Sequence, residues 1–378
     1  MTSGSQRLRV LLTNDDGPPG KDSPYIFGLA RHLVEDLDWD VKVVVPSTQK
    51  SWIGKAYHIK EITKGFYYYP RLPDGIGETS STSRPLKREL GEFAEWILLD
   101  GTPATCANIA LNNLFKDSID LVISGPNLGR NSSSAFALSS GTIGAALSAS
   151  LSRCRAIALS YGTVQNPVPP QLFDPAHKLA IKIIQSLLRN WGKDKDGLRN
   201  GQVDLYNVNI PMVNDLLNGE GLPVLWTKIW RNAYGRLFKP FTLEPTGTEA
   251  VPAGGPDAQL SSSNKGDPAD RYRSEAPQTD AFPQAKSLSS KRTPGEISHA
   301  PELVFKFAPD MSGLIGPRIA APVGSDAWAL ERGYASVTPL RASFAEPPLA
   351  DSEGEAPAES VEFNPPDGEG PKLFKLRL

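Results

Sequence analysis

Two adjacent carboxylates, Asp15 and Asp16, stand in the run Asn14-Asp15-Asp16-Gly17, directly after the apolar stretch Arg7 to Thr13. In open α/β sheets ligands collect at the carboxyl ends of strands, so two acids there are placed for a hard cation such as magnesium. The same residues also suit an Asp-Gly turn with solvated carboxylates. Three further segments carry matching chemistry. In Pro46 to Gly54 (PSTQKSWIG), Ser51 offers a hydroxyl ligand and Lys50 a phosphate contact, unless this is an ordinary polar loop. In Ser124 to Asn131 (SGPNLGRN), the Asn127 amide oxygen can reach a cation already held by carboxylates, and the glycines let a phosphate come close; a plain Gly/Asn turn is the alternative. Ser139-Ser140-Gly141-Thr142 opens a small-residue helix, whose free amides and hydroxyls would cradle an anion or simply be capped by Ser140.

Composition narrows the chemistry. The 378 residues hold 40 Lys and Arg against 42 Asp and Glu, a net charge of −2. Such a balance gives no field for duplex nucleic acid or an anionic membrane, so phosphate recognition must be local. No GxxxxGK[ST] run is present, which excludes a P-loop. The acids are adjacent rather than two apart, unlike the pair used in aspartyl-phosphate chemistry. Cys106 and Cys154 read as free buried thiols, which suits a reducing compartment. His32, His58, His177 and His299 are scattered without zinc spacing. With a short polar N-terminus and no apolar run near the ~20 residues of a membrane span, the expected location is the cytoplasm.

The elements that must position these loops follow from hydrophobic period. Arg7–Thr13, Val41–Val45 and Ile119–Ser124 read as buried strands, with Ala156–Leu159 and Leu205–Ile210 as further ones. Tyr25–Leu37 places Ile26, Leu29, Ala30 and Leu33 on one helical face. Thr102 with Pro103 starts a second helix, Thr142–Leu151 forms a third, and Pro175–Trp191 a long amphipathic fourth. Strand–helix–strand order predicts a parallel α/β sheet, with Lys60–Glu92 as a hairpin-like excursion. We divide the chain into a core over 1–246, a low-complexity disordered insertion over 247–300, the last core part over 301–345, and an acidic, proline-rich disordered tail over 346–378. The insertion's few large apolar residues cannot offset its ordering entropy.

In order along the chain, LLTNDDGPPG (Leu11–Gly20), PSTQKSWIG, DGTPATCANIAL (Asp100–Leu111), DLVISGPNLGRN (Asp120–Asn131), SSGTIGAAL (Ser139–Leu147), YNVNIP (Tyr206–Pro211) and SDAWALERGYASVTPL (Ser325–Leu340) resemble the survival protein SurE family of nucleotidases and phosphatases. The overall look is closest to fungal SurE-like acid phosphatases. Some of those continue into a tubulin–tyrosine-ligase-like domain, for which this sequence leaves no room. The resemblance implies a Rossmann-like three-layer α/β/α fold with a smaller β-hairpin extension, a homodimer or tetramer, and a divalent Mg²⁺ or Mn²⁺. It implies Asp15, Asp16, Ser51 and Asn127 as metal ligands, with Asp15, Asp16 and Asn127 catalytic. Asn14, Asn131, Ser140, Gly141 and Thr142 would lie at the phosphate. The implied reaction is hydrolysis of nucleoside 5′- or 3′-monophosphates, or related small phosphate esters, by metal-activated water. The alternative is a catalytically weak binding or scaffold module on the same fold. Two departures stand out: Ser132, Ser133 and Ser134 replace the family's Gly-Asp-Asp, and Ser139 replaces a Tyr.

Overall fold

Alternation within the apolar strands decides the layers. In the computed structural model, which describes residues 7–163, 167–219, 221–240, 303–310 and 321–345 and the backbone of 360–363 and 373–376, strand β1 (Arg9–Thr13) sends Val10 and Leu12 to one face. There they join Val43 and Val45 of β2 (Asp40–Pro46), Leu121 and Ile123 of β6 (Leu121–Leu128), and Ile157 and Leu159 of β7 (Arg155–Thr163). Helices α1 (Ile26–Glu35) and α5 (Phe173–Arg189) cover that face with Ile26, Leu29, Leu33, Ile183, Ile184 and Leu187. The alternate residues Leu11, Val44, Val122 and Ala158 are equally buried, and α2 (Pro103–Ile109) and α4 (Gly141–Leu151) pack on the sheet with their Ala and Cys residues. Both faces being covered accounts for strands that read as continuous apolar runs rather than as polar–apolar alternation.

The main sheet has ten strands in the order β4-β3-β5-β2-β1-β6-β7-β8-β12-β9. Its middle six, with β5 at Trp96–Leu99 and β8 at Leu205–Met212, are parallel. Antiparallel pairings flank them. On one side β3 (Gly65–Tyr69) pairs with β5 and with β4 (Glu78–Ser80), which is the excursion read over Lys60–Glu92. On the other, β12 (Ala335–Leu340) pairs antiparallel with β8 and parallel with β9 (Val224–Trp226). The chain runs outward from β1 to β2 and β5, then returns to lay β6 beside β1. The carboxyl ends of β1 and β6 therefore flank a topological switch point, where such sheets bind ligands.

Sequence-read boundaries hold within a few residues. Thr102 caps α2, its Oγ1 accepting from the Thr105 amide at 3.1 Å, with Pro103 at the first helical position. One element escaped the periodicity: α3 (Ser133–Ser139), seven residues joined to α4 through Ser140 at a bend of 69°. A second small sheet pairs β10 (Phe238–Pro240) with β11 (Phe305–Phe307). Among the described residues no single helix is long and apolar enough to cross a membrane. The segment read as an insertion, 247–300, lies outside the described residues. A separate unit, Arg341–Leu378, contains an antiparallel pair, β13 (Ser360–Phe363) with β14 (Leu373–Leu376), inside the stretch read as a disordered tail; the rest of that stretch from 346 lies outside the described residues.

Candidate active site

Asp15, Ser51, Asn127, Asn131 and Ser140 line one open cleft of about 390 Å³, including the solvent at its mouth. Four separate loops deliver them, and all four lie at the carboxyl ends of strands or open the helix that follows. Asp15 is only 3% exposed, its Oδ1 accepting the Thr142 hydroxyl at 2.6 Å. Asp16, equally buried, accepts the Leu128 amide at 2.8 Å, so the loop after β1 is tied to the residue next to Asn127. A bulge in β6 between Ser124 and Asn127 breaks the pairing register with β7, and such bulges re-aim side chains. The Asn127 Nδ2 donates to the Gly129 carbonyl at 2.9 Å, which turns its Oδ1 the other way.

Four expected residues reach the site differently from their assignment. Asp16, expected as a metal ligand, is not among the residues lining the cleft, and its Oδ2 is held by the Leu128 amide. Asn14 does not line the cleft: its Nδ2 donates to Gly17 O (2.8 Å) and Ser23 Oγ (2.9 Å), while its Oδ1 accepts the Gly17 amide. With both side-chain polar atoms satisfied inside its own loop, it shapes the turn that presents the two aspartates. Thr142 and Gly141 also stand behind the lining, as supports of Asp15. A Cβ on Gly141 would lie 2.8 Å from the Asp15 Cβ and 2.9 Å from its Oδ2, so only glycine lets α4 come this close. Ser140 caps α4 by accepting the Ile143 amide at 3.1 Å. Its O–H remains a donor, since capping uses only the oxygen.

Burial dominates the electrostatics. It pushes the Asp15 carboxyl up to about 6, against the opposing pull of the Thr142 hydroxyl and the Gly141 and Thr142 amides. Asp16 is pushed well above the carboxylate range, first by burial and then by the charge of Asp15. Neither forms a salt bridge with a cationic side chain among the described residues. Two buried acids without a counter-charge form a costly arrangement that a cation relieves. The donor set, two carboxylates with an amide and a hydroxyl oxygen, is hard and suits Mg²⁺ or Mn²⁺ rather than zinc. No group of three or more His, Cys, Asp or Glu side chains suited to a metal occurs among the described residues; this set contributes only two such residues.

Several participants were missed from sequence. Asn131 is clamped by neighbouring strands: its amide donates to Asn209 Oδ1 (2.8 Å), its Nδ2 to Ser160 Oγ (2.8 Å), and its carbonyl accepts Asn207 Nδ2 (2.8 Å). The signal was two fully buried asparagines alternating in the apolar strand YNVNIP. Trp52 lines the cleft beside Phe136, their rings 5.9 Å apart, and Trp52 also meets Tyr234 and Phe307. Its φ of 62° places a bulky aromatic in the left-handed region, a strained conformation uncommon for such a side chain. The first amides of α3 are satisfied from afar: Ser133 N by Asp326 Oδ2 (2.7 Å), Ser134 N by the Trp230 carbonyl (2.8 Å) and Ala135 N by Asn232 Oδ1 (2.9 Å). No periodicity could show this, because the capping partners lie about a hundred or more residues away.

Comparison with known proteins bears on the family and the fold. The family described as "Survival protein SurE" matches residues 10–236. A Saccharomyces cerevisiae protein named probable tubulin–tyrosine ligase PBY1 is 38% identical over 250 residues, which are 61% of this chain and 32% of that protein; the chain thus spans about a third of that relative's length. The 5′-nucleotidase SurE of Ruegeria pomeroyi is 31% identical over 54% of this chain and 68% of its own. That of Archaeoglobus fulgidus is 31% identical over 64% and 79%. The crystal structure of the SurE protein from Aquifex aeolicus superposes with a TM-score of 0.51 at 22% identity, covering 89% of this chain and 95% of that one, a likeness of fold. The expected special closeness to fungal acid phosphatases finds no support here: the yeast relative carries a ligase name, and the nucleotidase names come from bacteria and archaea. The match covers most of the ordered core and all four loops that meet in the cleft: the chain belongs to the survival protein SurE family of hydrolases.

Proposed function

We propose that this chain is a metal-dependent phosphomonoesterase acting on nucleoside 5′- or 3′-monophosphates or closely related small phosphate esters. One observation carries the reading: Asp15, Ser51 and Asn127, each with a side-chain oxygen, line one cleft together with Ser140 at the start of α4. Asp15, Asp16, Ser51 and Asn127 would hold the divalent cation, Mg²⁺ or Mn²⁺. When bound, the cation supplies Lewis acidity and charge neutralisation at the phosphate. The chain's own residues do the positioning. Thr142 and the Leu128 amide fix the two carboxylates, Ser140 donates its O–H toward a phosphate oxygen, and the Ser160–Asn207–Asn209 clamp holds Asn131 at the rim. Phosphoryl transfer needs little more than positioning and charge stabilisation from a protein. Trp52 and Phe136 offer an aromatic wall to the nucleoside end, since aromatic faces stack on planar rings. A reducing, cytoplasmic setting fits the two free thiols, and a homodimer or tetramer is the expected assembly.

The test is hydrolysis of p-nitrophenyl phosphate and of the nucleoside monophosphates by the full chain with Mg²⁺, with Mn²⁺ and with EDTA. Turnover that needs a divalent cation and falls at least a hundredfold in Asp15→Asn is expected. Turnover indifferent to EDTA, or none from folded protein, would replace this reading with the binding-module alternative.

A further inference from the structure

A second polar cleft opens at the opposite pole of the sheet, where β1, β6 and β7 begin, with about 950 Å³ of open space. Arg155 starts β7, and Ser160 of the same strand already touches the catalytic rim through Asn131. Five residues of extended chain separate the two, roughly 16 Å at ~3.3 Å per residue. The cleft is therefore not part of the site described above.

Its lining is basic in a chain that is not. Lys116, Arg153, Arg155 and Arg199 face it with two carboxylates, Asp117 and Asp120. Asp120 is already committed: Arg9 grips it with two bonds, Nε to Oδ2 at 3.0 Å and Nη2 to Oδ1 at 2.7 Å. Among the described residues none of Lys116, Arg153, Arg155 and Arg199 has a carboxylate within ion-pair distance. Two of the guanidinium groups are moreover brought together. Arg155 Nε and Arg199 Nη1 both donate to the single oxygen Gln202 Oε1, at 3.3 Å and 2.6 Å. Arg155 also lies over the Trp191 ring at 5.2 Å, which holds its plane. Like charges converging on one neutral acceptor repel each other, and the Arg155 guanidinium is held below its ordinary value by burial and by Arg199. A bound anion would reverse that penalty. Planar guanidinium forks match phosphate oxygens two at a time, and two forks side by side match two linked phosphates better than one.

We propose that the cleft formed by Arg153, Arg155, Arg199 and Lys116 is a second, non-catalytic site for a condensed phosphate, a pyrophosphate group either free or carried on a nucleotide. Neither the reaction nor its cation is involved, so the site stands or falls separately from the proposed activity.

Isothermal titration of the full chain with inorganic pyrophosphate, in EDTA at physiological salt, tests it. Saturable binding is expected. Arg199→Gln and Arg155→Lys should each weaken it at least tenfold, the latter because it keeps the charge but loses the fork, while Asp15→Asn should leave it unchanged. Should either arginine variant lose its native near-ultraviolet circular dichroism, the surface pair Lys116→Gln with Arg153→Gln replaces it, and a threefold or greater weakening is expected. Titration with ADP and AMP separates the sources: ADP binding more tightly than pyrophosphate marks a nucleotide-borne group, and equal affinity marks the free ion. The proposal is overturned by absence of saturable binding, by binding that Asp15→Asn abolishes and the arginine variants spare, or by AMP binding as tightly as ADP in an arginine-dependent way. It is equally overturned if a single-stranded RNA oligonucleotide binds through these arginines while pyrophosphate does not.

Discussion

Burial that leaves Asp15 and Asp16 about 3% exposed opposes their ionisation, whereas holding a divalent cation requires both to be ionised. The metal-free protein therefore carries a cost at these two positions that a bound divalent cation would remove. Asp16→Asn should abolish metal binding and activity yet raise the melting temperature of the metal-free chain, which differential scanning fluorimetry in EDTA would read; a lower melting temperature would show that the acids are not a burden. Gly141→Ala should cut activity at least tenfold, because the added Cβ meets Asp15 at 2.8 Å. Trp52→Ala should raise KM for nucleoside monophosphates several-fold while leaving KM for glycerol phosphate little changed, since only the former present a ring to the aromatic wall. Equal effects on both substrates would remove the wall from the binding argument. The aspartates themselves were legible in the sequence as an adjacent pair after an apolar strand. Trp52 was not, because its role depends on a left-handed backbone angle and on rings from residues 136, 234 and 307.

At the scale of elements, the contrast between α2 and α3 shows what local sequence can carry. Helix α2 contains its own start signal, Thr102 with Pro103, and reads directly. Helix α3 begins in a run of three serines with no side-chain cap of its own, and takes its amide acceptors from Asp326, Trp230 and Asn232. The motif SDAWALERGYASVTPL was recognisable, but that its Asp326 serves the site loop was not. This carboxylate is nearly sealed and is pushed above its usual range by burial, although it accepts the amides of Ser133, Trp230 and Ala327. Removing it leaves buried donors unmatched, which typically costs ~1–3 kcal/mol each. Asp326→Ala should accordingly lower the urea midpoint clearly and weaken substrate binding, because Phe136 and Ser139 of α3 line the cleft. An unchanged midpoint would deny Asp326 this tethering role.

For the whole molecule, two groups of acids pull stability in opposite directions with pH. Asp15 and Asp16 have folded pKa values above their unfolded ones, so their penalty is present at neutral pH and fades on acidification, that of Asp15 as pH falls through about 6. Glu92, held down to about 2 by the Arg84 fork at 2.8 Å and by the Lys87 amide, contributes stability above its unfolded value of 4.5 and loses it as pH drops toward 2. The metal-free chain should therefore melt highest near pH 5, and saturating Mg²⁺ should move that maximum toward neutrality. A maximum that stays in place with Mg²⁺ would mean that the cation does not bind these carboxylates.

Strands β10 and β11 pair residue for residue, Pro240 opposite Phe305, so whatever chain joins residue 240 to residue 305 starts and ends at neighbouring points. Nothing in the ten-stranded sheet has to stretch when such a detour changes length, and closing a longer loop adds only ~0.6 kcal/mol per doubling. Excising 247–300 and splicing a short Gly-Ser bridge should thus preserve the melting temperature and the proposed activity. A change of length at this one place leaves every pairing of the ten-stranded sheet as it is.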